Sequence, residues 1–381
     1  MNPESSVQER YATAAKESEP ALCCPVDYDP GHLDAIPAEV IEKDYGCGNP
    51  SRHLKAGETV LDLGSGTGKI CFIASQVVGP QGRVIGIDMT EDMLEVARRN
   101  APVVAERIGY GNVEFRKGRI QDLALDLELL DRELAAQPVG GVDAWMRMEG
   151  VVDRLRRESP LVEAGSVDVV VSNCVLNLVD ARSKPQLFDE IFRVLKRGGR
   201  AVISDIMSDE PVPEAMQRDA RLWSGCISGA LTEEGFLQAF EAAGFHGIEI
   251  LEFETQPWQT VAGIEFRSVT VQAWKGKDGP CLDHNQAVIY KGPFREVVDD
   301  DGHRLRRGRR QAVCGKTFAL YQGPAYRDAF EAIEPRQAVT PEDAPEFDRH
   351  PMARRPPRET KGREYDLTTD PSQSGGDGGC C

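Results

Sequence analysis

The stretch Asp-Leu-Gly-Ser-Gly-Thr-Gly at residues 62–68 decides the fold of this chain. It follows a short apolar run at residues 59–61 that predicts a buried strand, and it precedes residues that favour a helix. Gly64, Gly66 and Gly68 let the backbone adopt a positive φ and come close to a ligand, because no Cβ intervenes. The first N–H groups of the following helix then face that ligand. The pattern predicts a nucleotide-binding turn between a strand and a helix.

A second apolar segment, residues 84–87, ends in an acid, Asp88. In doubly wound sheets an acid about twenty residues after the glycine turn accepts hydrogen bonds from ribose hydroxyls. A P-loop requires Ser or Thr after Gly-Lys, but Ile70 follows Lys69 in this chain. Lys69 also occupies the place of the third glycine in the dinucleotide fingerprint. The turn therefore disfavours ATP, GTP and dinucleotides as its ligand.

Strand and helix patterns alternate from residue 59 onward. The predicted strands cover residues 59–63, 84–87, 113–115, 167–171 and 200–204. This alternation predicts an α/β fold with a doubly wound, mostly parallel sheet, because parallel neighbours need crossover connections. Ligands of such sheets bind beyond the C-terminal ends of the strands. The polar residues at those ends are expected to meet in one cleft: Asp62, Gly64, Asp88, Gln121, Asp122, Asn173 and Cys174.

The chain has 381 residues, which is more than one domain of ordinary size. We assign residues 1–50 to an N-terminal extension that carries thiols, and residues 51–277 to the nucleotide-binding domain, with a charged helical insertion at 123–164. A smaller C-terminal α+β domain is expected at 278–335. Residues 336–381 are rich in proline, charge and finally glycine, so we expect a disordered tail there.

Composition narrows the class of protein. The net charge of −17 disfavours nucleic-acid binding, which normally requires a basic surface. The polar N-terminus lacks the apolar stretch of a secretory signal, and no run approaches the roughly eighteen apolar residues of a membrane helix. We therefore expect a soluble cytoplasmic protein with no nucleic-acid or membrane partner. In that compartment its ten cysteines should be mostly reduced.

The cysteines are the second informative feature. None lies in a Cys-x-x-Cys pair, which disfavours a zinc ribbon or a thioredoxin-type site. Cys47 precedes the first strand, Cys174 ends a strand at the predicted cleft, and Cys226 lies in a segment of small residues after the fifth strand. Three thiolates can hold one soft ion such as trivalent arsenic, whose lone pair then stays nucleophilic. The alternative is that each cysteine is a small buried residue without a ligand. The residues alone leave both interpretations open.

Several segments taken together point to one family. They are Tyr-Gly-Cys-Gly at 45–48, the turn at 61–68 with Cys71, Gly-Ile-Asp-Met-Thr at 86–90, Ser-Asn-Cys-Val-Leu-Asn-Leu at 172–178, Gly-Cys-Ile-Ser-Gly-Ala at 225–230 and Val-Ile-Tyr-Lys-Gly at 288–292. This set resembles the arsenite methyltransferases, which are class I S-adenosylmethionine (SAM) methyltransferases. The resemblance covers about residues 35–330. It implies SAM as the cofactor, bound by Asp62, Gly64, Ser65, Gly66, Gly68, Asp88, Met89, Gln121, Asp122 and Asn173.

The resemblance also implies roles for the thiols. Cys47, Cys174 and Cys226 would bind arsenic(III), supplied as arsenite or its thiol conjugates. Cys71, with Cys23 or Cys24, would reduce the arsenic after methyl transfer, and thioredoxin or glutathione would reopen the resulting disulfide. The adjacent pair Cys23-Cys24 looks like that of members associated with arsenosugar biosynthesis, and which of the two reacts stays open. The implied function is arsenic detoxification or organoarsenical biosynthesis.

Two other functions compete with arsenic methylation. A SAM methyltransferase of a small organic acceptor, with structural cysteines, would require a base near Asn173, and no histidine lies near the predicted strand ends. A non-catalytic protein that sequesters a metalloid would explain the thiols. That function gives no role to the glycine turn or to Asp88.

Overall fold

The computed structural model describes residues 3–16, 19, 26–43, 45–276, 279–350 and 353–369. Contacts divide the chain into two compact units, Met1–Gly276 and Lys277–Cys381. The expectations for Cys23, Cys24 and the last twelve residues lie outside the described residues. Within the described residues, no helix combines the length and the apolar character that a membrane crossing needs.

The first unit is built on a mixed sheet with the strand order β3-β2-β1-β4-β5-β9-β7 among the described residues, to which β6 and β8 add at β5 and β9. Its strands are β1 (Thr59–Leu63), β2 (Arg83–Asp88), β3 (Val113–Lys117), β4 (Val167–Asn173), β5 (Leu195–Ser208), β6 (Leu231–Thr232), β7 (His246–Phe253), β8 (Gln259–Val261) and β9 (Ile264–Trp274). Strands β1 to β5 are parallel, whereas β9 runs antiparallel to β5 and β7. The predicted doubly wound, mostly parallel sheet is confirmed.

Helices cover both faces of this sheet. They are α1 (Pro3–Ala14), α2 (Pro30–Leu33), α3 (Ala38–Glu42), α4 (Lys69–Val78), α5 (Glu91–Ile108), α6 (Leu127–Ala136), α7 (Val142–Glu158), α8 (Lys184–Val194), α9 (Glu214–Gln217), α10 (Ala220–Ser224) and α11 (Glu233–Ala242). Leu61 and Leu63 of β1 join the core that packs on α8 and α11, and Val60 joins the core on α4 and α5. A parallel sheet buried on both faces explains the near-continuous apolar strands.

Two helices differ from the sequence-based expectation. Because proline usually ends a helix, Pro102 predicts that helix α5 stops near Asn100, yet the helix continues to Ile108. Val104 beyond the proline is buried, and Gly109 closes the helix in the left-handed conformation at φ 86°, so packing and the cap outweigh the lost hydrogen bond. Helix α1 was not predicted, although Val7, Tyr11 and Ala14 repeat at helical spacing.

The second unit has its own small sheets. Its elements are β10 (Ala287–Tyr290), β11 (Glu296–Val298), β12 (Arg304–Arg306), β13 (Arg310–Ala312), α12 (Gly315–Tyr321), β14 (Phe330–Ile333) and α13 (Pro357–Lys361). Strand β10 lies between β13 and β14, antiparallel to both, and β11 pairs with β12. The core includes stacked rings of Tyr321 and Phe330, with centroids 4.3 Å apart.

The prediction of disorder from residue 336 onward differs from the structure, which describes residues 336–350 and 353–369 and contains a helix at Pro357–Lys361. Arg355 is fully buried, and its guanidinium contacts Asp283 Oδ1 at 2.6 Å and donates to the Gln286 carbonyl at 3.0 Å. Helix α13 follows, and its Glu359 accepts a further bond from Arg355 at 2.7 Å. A charged, proline-rich segment is therefore ordered through a buried ion pair, which composition alone does not reveal.

Candidate active site

The glycine turn and the end of β2 form one hydrogen-bonded structure. Gly64 and Ser65 donate their N–H groups to the Ile87 carbonyl at 2.8 and 2.9 Å. Gly66 N–H donates to Asp88 Oδ2 at 2.9 Å, and Thr90 N–H donates to Asp88 Oδ1 at 2.8 Å. Desolvation raises the pKa of Asp88 above its ordinary value, and these N–H groups oppose that shift. The turn and the acid are thus fixed relative to each other before any ligand binds.

A cleft of about 790 Å³ opens beside this turn. Six of the residues predicted for the site line it: Gly64, Gly66, Asp88, Met89, Gln121 and Cys174. Helix α1, which the sequence analysis missed, adds Val7 and Tyr11 to the wall. As predicted from their positions at strand ends, Asp88, the expected ribose ligand, and Cys174, an expected arsenic ligand, line the same cleft.

The residues of this cleft fit a SAM-type nucleotide. Gly66 has a φ of 52°, which leaves bare backbone beside Asp88. The Ser65 hydroxyl is buried and has no hydrogen-bond partner among the described residues, so it retains an unused donor and acceptor next to the cleft. At Gly64 the absence of a Cβ is required by internal packing, since a Cβ there would lie 2.4 Å from Val175 Cγ1.

Five predicted cofactor residues do not line the cleft, and one of them, Asn173, holds a different loop. Asp62 is buried and accepts a hydrogen bond from the Cys71 thiol at 3.2 Å. Asp122 is held by Arg156 of α7, with Nη2 to Oδ2 at 2.8 Å. The others are Ser65 and Gly68, and a Cβ at Gly68 would lie 2.7 Å from the Phe115 ring. These residues maintain the conformation of the glycine turn and of the segments that pack against it.

Asn173, also predicted to bind the cofactor, positions the loop that carries Cys47. Its Oδ1 accepts hydrogen bonds from the N–H groups of Cys47 and Gly48 at 2.9 and 3.0 Å. Its Nδ2 donates to the Gly48 carbonyl at 2.9 Å. Ser268 of β9 donates its hydroxyl to the Cys47 carbonyl at 2.6 Å. The loop before β1 is thereby fastened to the C-terminal end of β4.

Three cysteines that are distant in sequence lie in one buried apolar cluster. Cys47, Cys174 and Cys226 are 5%, 8% and 5% exposed and share this cluster with Trp223 and Phe266. Cys47 and Cys174 are joined by a disulfide, with their Cα atoms 5.7 Å apart. The Cys226 thiol donates to the Cys174 carbonyl at 3.2 Å. The sequence predicts mostly reduced thiols. Four of the described cysteines, Cys71, Cys226, Cys281 and Cys314, are free, and only Cys47 and Cys174 are joined among the described residues.

Backbone strain coincides with this cluster. Cys174 and Cys226 have φ values of 61° and 63°, in the left-handed region that non-glycine residues rarely adopt. Such residues cost about 1–3 kcal/mol each and concentrate at functional sites. Two of the three cysteines are therefore held in an orientation that relaxed strands or helices would not give them.

Two buried charges lie beside the cysteines. An Asp205 carboxylate oxygen lies within 4.8 Å of the sulfurs of both Cys47 and Cys174. Burial raises the pKa of Asp205 to about 6, although the Ile206 N–H and the Lys184 charge oppose it. Burial likewise lowers the pKa of Lys184 to about 8, and its Nζ donates to the Gly229 carbonyl at 2.5 Å. Asp205 is not among the residues predicted for the site, although it directly follows the fifth predicted strand, where ligand-binding residues of such sheets lie.

Two clefts meet at the cysteine cluster. Cys174 lines the cleft of the glycine turn, whereas Cys47 lines a second cleft of about 1160 Å³ with Asp27, Arg52 and Trp258. Tyr11 of α1 interacts with Cys226, and burial followed by that thiol raises the pKa of the tyrosine well above its ordinary value. The cluster is therefore reached from more than one side.

Cys71 lies apart from these three cysteines. It is fully buried in α4, within the core on the other side of β1, and its thiol donates to Asp62. A Cβ on Gly86 of β2 would lie 2.8 Å from its sulfur, so the site is tightly packed. The structure does not bring Cys71 together with Cys47, Cys174 and Cys226, and its partners in the expected redox role, Cys23 and Cys24, are outside the described residues.

Known protein families match residues in both units. A methyltransferase domain family matches residues 54–137 and 154–272, and a domain of unknown function (DUF8838) matches residues 277–365. The arsenite methyltransferase of Aquipseudomonas alcaligenes is 32% identical over 347 residues, which cover 86% of this chain and 90% of that protein. The arsenite methyltransferase of Mus musculus is 30% identical over 311 residues, covering 78% and 73% of the two chains.

A solved structure agrees with these relatives. CrArsM, an arsenic (III) S-adenosylmethionine methyltransferase from Chlamydomonas reinhardtii, matches 85% of this chain and 100% of its own, with 28% identity and a TM-score of 0.54. The similarity to the relatives runs through both units rather than through the nucleotide-binding turn alone. This chain therefore belongs to the arsenite methyltransferase family and is a SAM-dependent methyltransferase.

Proposed function

We propose that this protein transfers a methyl group from SAM to trivalent arsenic bound by the thiolates of Cys47, Cys174 and Cys226. The observation that carries the proposal is the convergence of these cysteines, two of them in strained backbone, beside the cleft that contains Gly66 and Asp88. Arsenite is the substrate in the names of the relatives. Thiolates are the ligands that soft ions prefer.

Substrate binding requires both cysteines of the disulfide in reduced form. Arsenite then exchanges its three hydroxyl groups for three sulfurs, and each thiol proton leaves with a hydroxide as water. The arsenic keeps a lone pair that carries no proton, so no general base is needed for attack. The second cleft at Cys47 supports entry of the arsenite or its thiol conjugate by a route separate from the cofactor cleft at Cys174.

The chain's residues hold and shield the reacting groups. SAM, when bound, supplies an electrophilic methyl group on a sulfonium centre. The turn at Gly64 and Gly66 leaves room for the methionine part, and Asp88 accepts hydrogen bonds from ribose hydroxyls. Met89 and Gln121 line the same wall as Asp88. Burial of the cysteines excludes water, and a fixed nucleophile about 3 Å from the methyl group is what the reaction requires.

Methyl transfer leaves the arsenic formally pentavalent, so two electrons are needed to return it to the trivalent state. Two thiolates that form a disulfide supply them. Cys47 and Cys174 are suited to this step because they lie within disulfide distance, and Cys23 or Cys24 can relay the oxidation outward. Thioredoxin or glutathione reopens the disulfide by thiol exchange. In this scheme the fully buried Cys71 supports Asp62 and does not exchange.

The test is methylation of arsenite by the purified protein with SAM, thioredoxin and its reductase, measured as methylated arsenic by chromatography with elemental mass spectrometry. We expect Cys226→Ser to lower the rate at least 100-fold, since two sulfurs cannot hold the ion in the same orientation. The matched control is Cys281→Ser, at an exposed cysteine of the second unit, which should keep the initial rate with arsenite. Full activity of Cys226→Ser would refute the proposal, as would methylation of an organic acceptor alone.

A further inference from the structure

We propose that Cys281 and Cys314 of the second unit form a two-thiol site that binds a trivalent arsenical carrying one carbon substituent. This inference rests on the proposed function, because transfer of a first methyl group to arsenite, followed by two-electron reduction of the arsenic by thiols, generates such a compound. The cysteine cluster of the first unit and this pair would then take different arsenicals. The family profile that covers residues 277–365 assigns no function to this part of the chain.

Backbone hydrogen bonds bring the two cysteines together across 33 positions of sequence. Gly315, next to Cys314, donates its N–H to the carbonyl of Leu282, next to Cys281, at 2.8 Å. Phe347 N–H donates to the Cys281 carbonyl at 2.8 Å and holds that segment from its other side. The Cys281 thiol interacts with the thiol of Cys314 and with the Lys316 ammonium group.

The two thiols differ in access. Cys281 is exposed, whereas Cys314 is 4% exposed and caps helix α12. Its sulfur lies 3.3 Å from the Thr317 hydroxyl and accepts the Thr317 N–H at 3.5 Å. Desolvation and the neighbouring Cys314 raise the pKa of Cys281, and Lys316 opposes that shift. A ligand can therefore bind the exposed Cys281 thiol first. It then forms a second bond to Cys314, whose position at the start of helix α12 is fixed.

The number of donors selects the class of ligand. Zinc in a structural site takes four protein ligands. Across the described parts of the second unit, no further histidine, cysteine, aspartate or glutamate joins both thiols in a group of three close ligand atoms. Trivalent arsenic forms three bonds, and a carbon substituent occupies one of them. Two sulfurs therefore complete a monosubstituted arsenical, whereas inorganic arsenite would keep one hydroxyl group.

The binding step balances without an oxidant or a reductant. An arsenical R-As(OH)₂ exchanges both hydroxyl groups for sulfur: two As–O bonds break and two As–S bonds form. The proton of each thiol leaves with a hydroxide, which gives two water molecules. Arsenic remains trivalent throughout, so a thiol in excess reverses the exchange.

The test follows alkylation of Cys281 in the full-length protein, reduced beforehand with a phosphine and kept without SAM. Phenylarsine oxide is the probe, added in excess over all ten cysteines because the adjacent pairs 23–24 and 380–381 can also bind it. N-ethylmaleimide labelling is then read for each cysteine by peptide mass spectrometry. We expect the probe to slow labelling of Cys281 at least 10-fold in the natural chain.

The decisive variant is Cys314→Ser, which leaves Cys281 in place and keeps a good helix cap. We expect less than 2-fold protection of Cys281 in this variant and unchanged protection in Cys71→Ser. Equal protection in Cys314→Ser would overturn the proposal, as would no protection in the natural chain. Circular dichroism checks that each variant folds. In a further variant in which serine replaces every cysteine except Cys71, Cys281 and Cys314, intact-protein mass spectrometry should show one bound molecule of phenylarsine oxide. Because no methyl donor is present, a failure of catalysis cannot produce either result.

Discussion

At the scale of single residues, Asn173 connects the sheet to the cysteine loop through three buried hydrogen bonds. Asn173→Ala leaves the N–H groups of Cys47 and Gly48 in the interior without the amide oxygen that accepts from them, whereas the Gly48 carbonyl keeps the Tyr28 hydroxyl at 3.1 Å. We expect a loss of about 2–4 kcal/mol in the free energy of unfolding, measured by urea denaturation. We also expect at least tenfold weaker arsenite binding in the reduced protein, since Cys47 loses its anchor.

The matched control for Asn173 is Asn112→Ala. Asn112 also makes three hydrogen bonds, to the Ser75 hydroxyl and to the carbonyls of Gly79 and Gly82, far from the cysteines in sequence. The Asn112→Ala variant should have a lower free energy of unfolding and an unchanged affinity for arsenite. If both variants bind arsenite like the natural protein, Asn173 has no role in positioning Cys47.

Asp205 predicts a pH dependence of stability. Its pKa rises from 3.8 to about 6 on folding, so between about pH 4 and pH 6 the folded state binds more protons than the unfolded state. This group therefore makes stability fall as the pH increases through that range. Asp205→Asn should remove the effect, and its free energy of unfolding relative to the natural protein should rise by up to about 3 kcal/mol between about pH 4 and pH 7.

Urea titrations in reducing buffer at several pH values measure this difference. Asp209→Asn, at an exposed aspartate just beyond the same strand, is the matched control. A relative stability of Asp205→Asn that does not vary with pH would contradict the buried-acid account. The same carboxylate lies beside Cys47 and Cys174, two of the cysteines that we propose as arsenic ligands.

At the scale of elements, α1 is the part of the cleft wall that the sequence analysis overlooked. Arg10 fastens this helix, because its Nη1 donates to the Arg221 carbonyl at 3.1 Å and to the Ser224 hydroxyl at 3.0 Å on α10. Arg10→Ala should loosen the wall formed by Val7 and Tyr11. We expect the KM for SAM to rise about threefold to tenfold, with a smaller fall in kcat, in steady-state assays.

Gln8→Ala, on the exposed side of the same helix, is the comparison variant and should leave KM unchanged. The melting temperature should move little in both variants, since partly exposed polar contacts contribute only about 1 kcal/mol each. Equal KM values for the two variants would contradict a role of α1 in SAM binding.

At the scale of the whole molecule, each unit has a core of its own. Phe240 is fully buried among the aromatic residues of α8 and α11, and Phe330 belongs to the core of the second unit. Truncation of a buried phenylalanine costs about 3–5 kcal/mol. In scanning calorimetry, Phe240→Ala and Phe330→Ala should each lower the transition of the unit that contains it. Equal displacement of a single shared transition by both variants would mean that the units unfold together.

The sequence by itself determined the sheet, the turn and the acid that follows it. Their signals are local: an apolar run next to glycines, and then an acid after the next run. The strand-end rule also selected Gln121 and Cys174, which line the cleft, because parallel strands end at one edge. The family resemblance was carried by short motifs around the cysteines, and comparison with relatives confirmed it.

The tertiary structure alone decided what each polar residue touches. Asn173 and Asp122 sit where the strand rule puts them, yet one holds the Cys47 loop and the other pairs with Arg156, because partners arrive from distant segments. Burial likewise orders Arg355 in a tail whose composition predicts disorder. Hydrogen bonds and desolvation depend on which surfaces meet. That information is not local, so sequence patterns identified the candidates and packing assigned their roles.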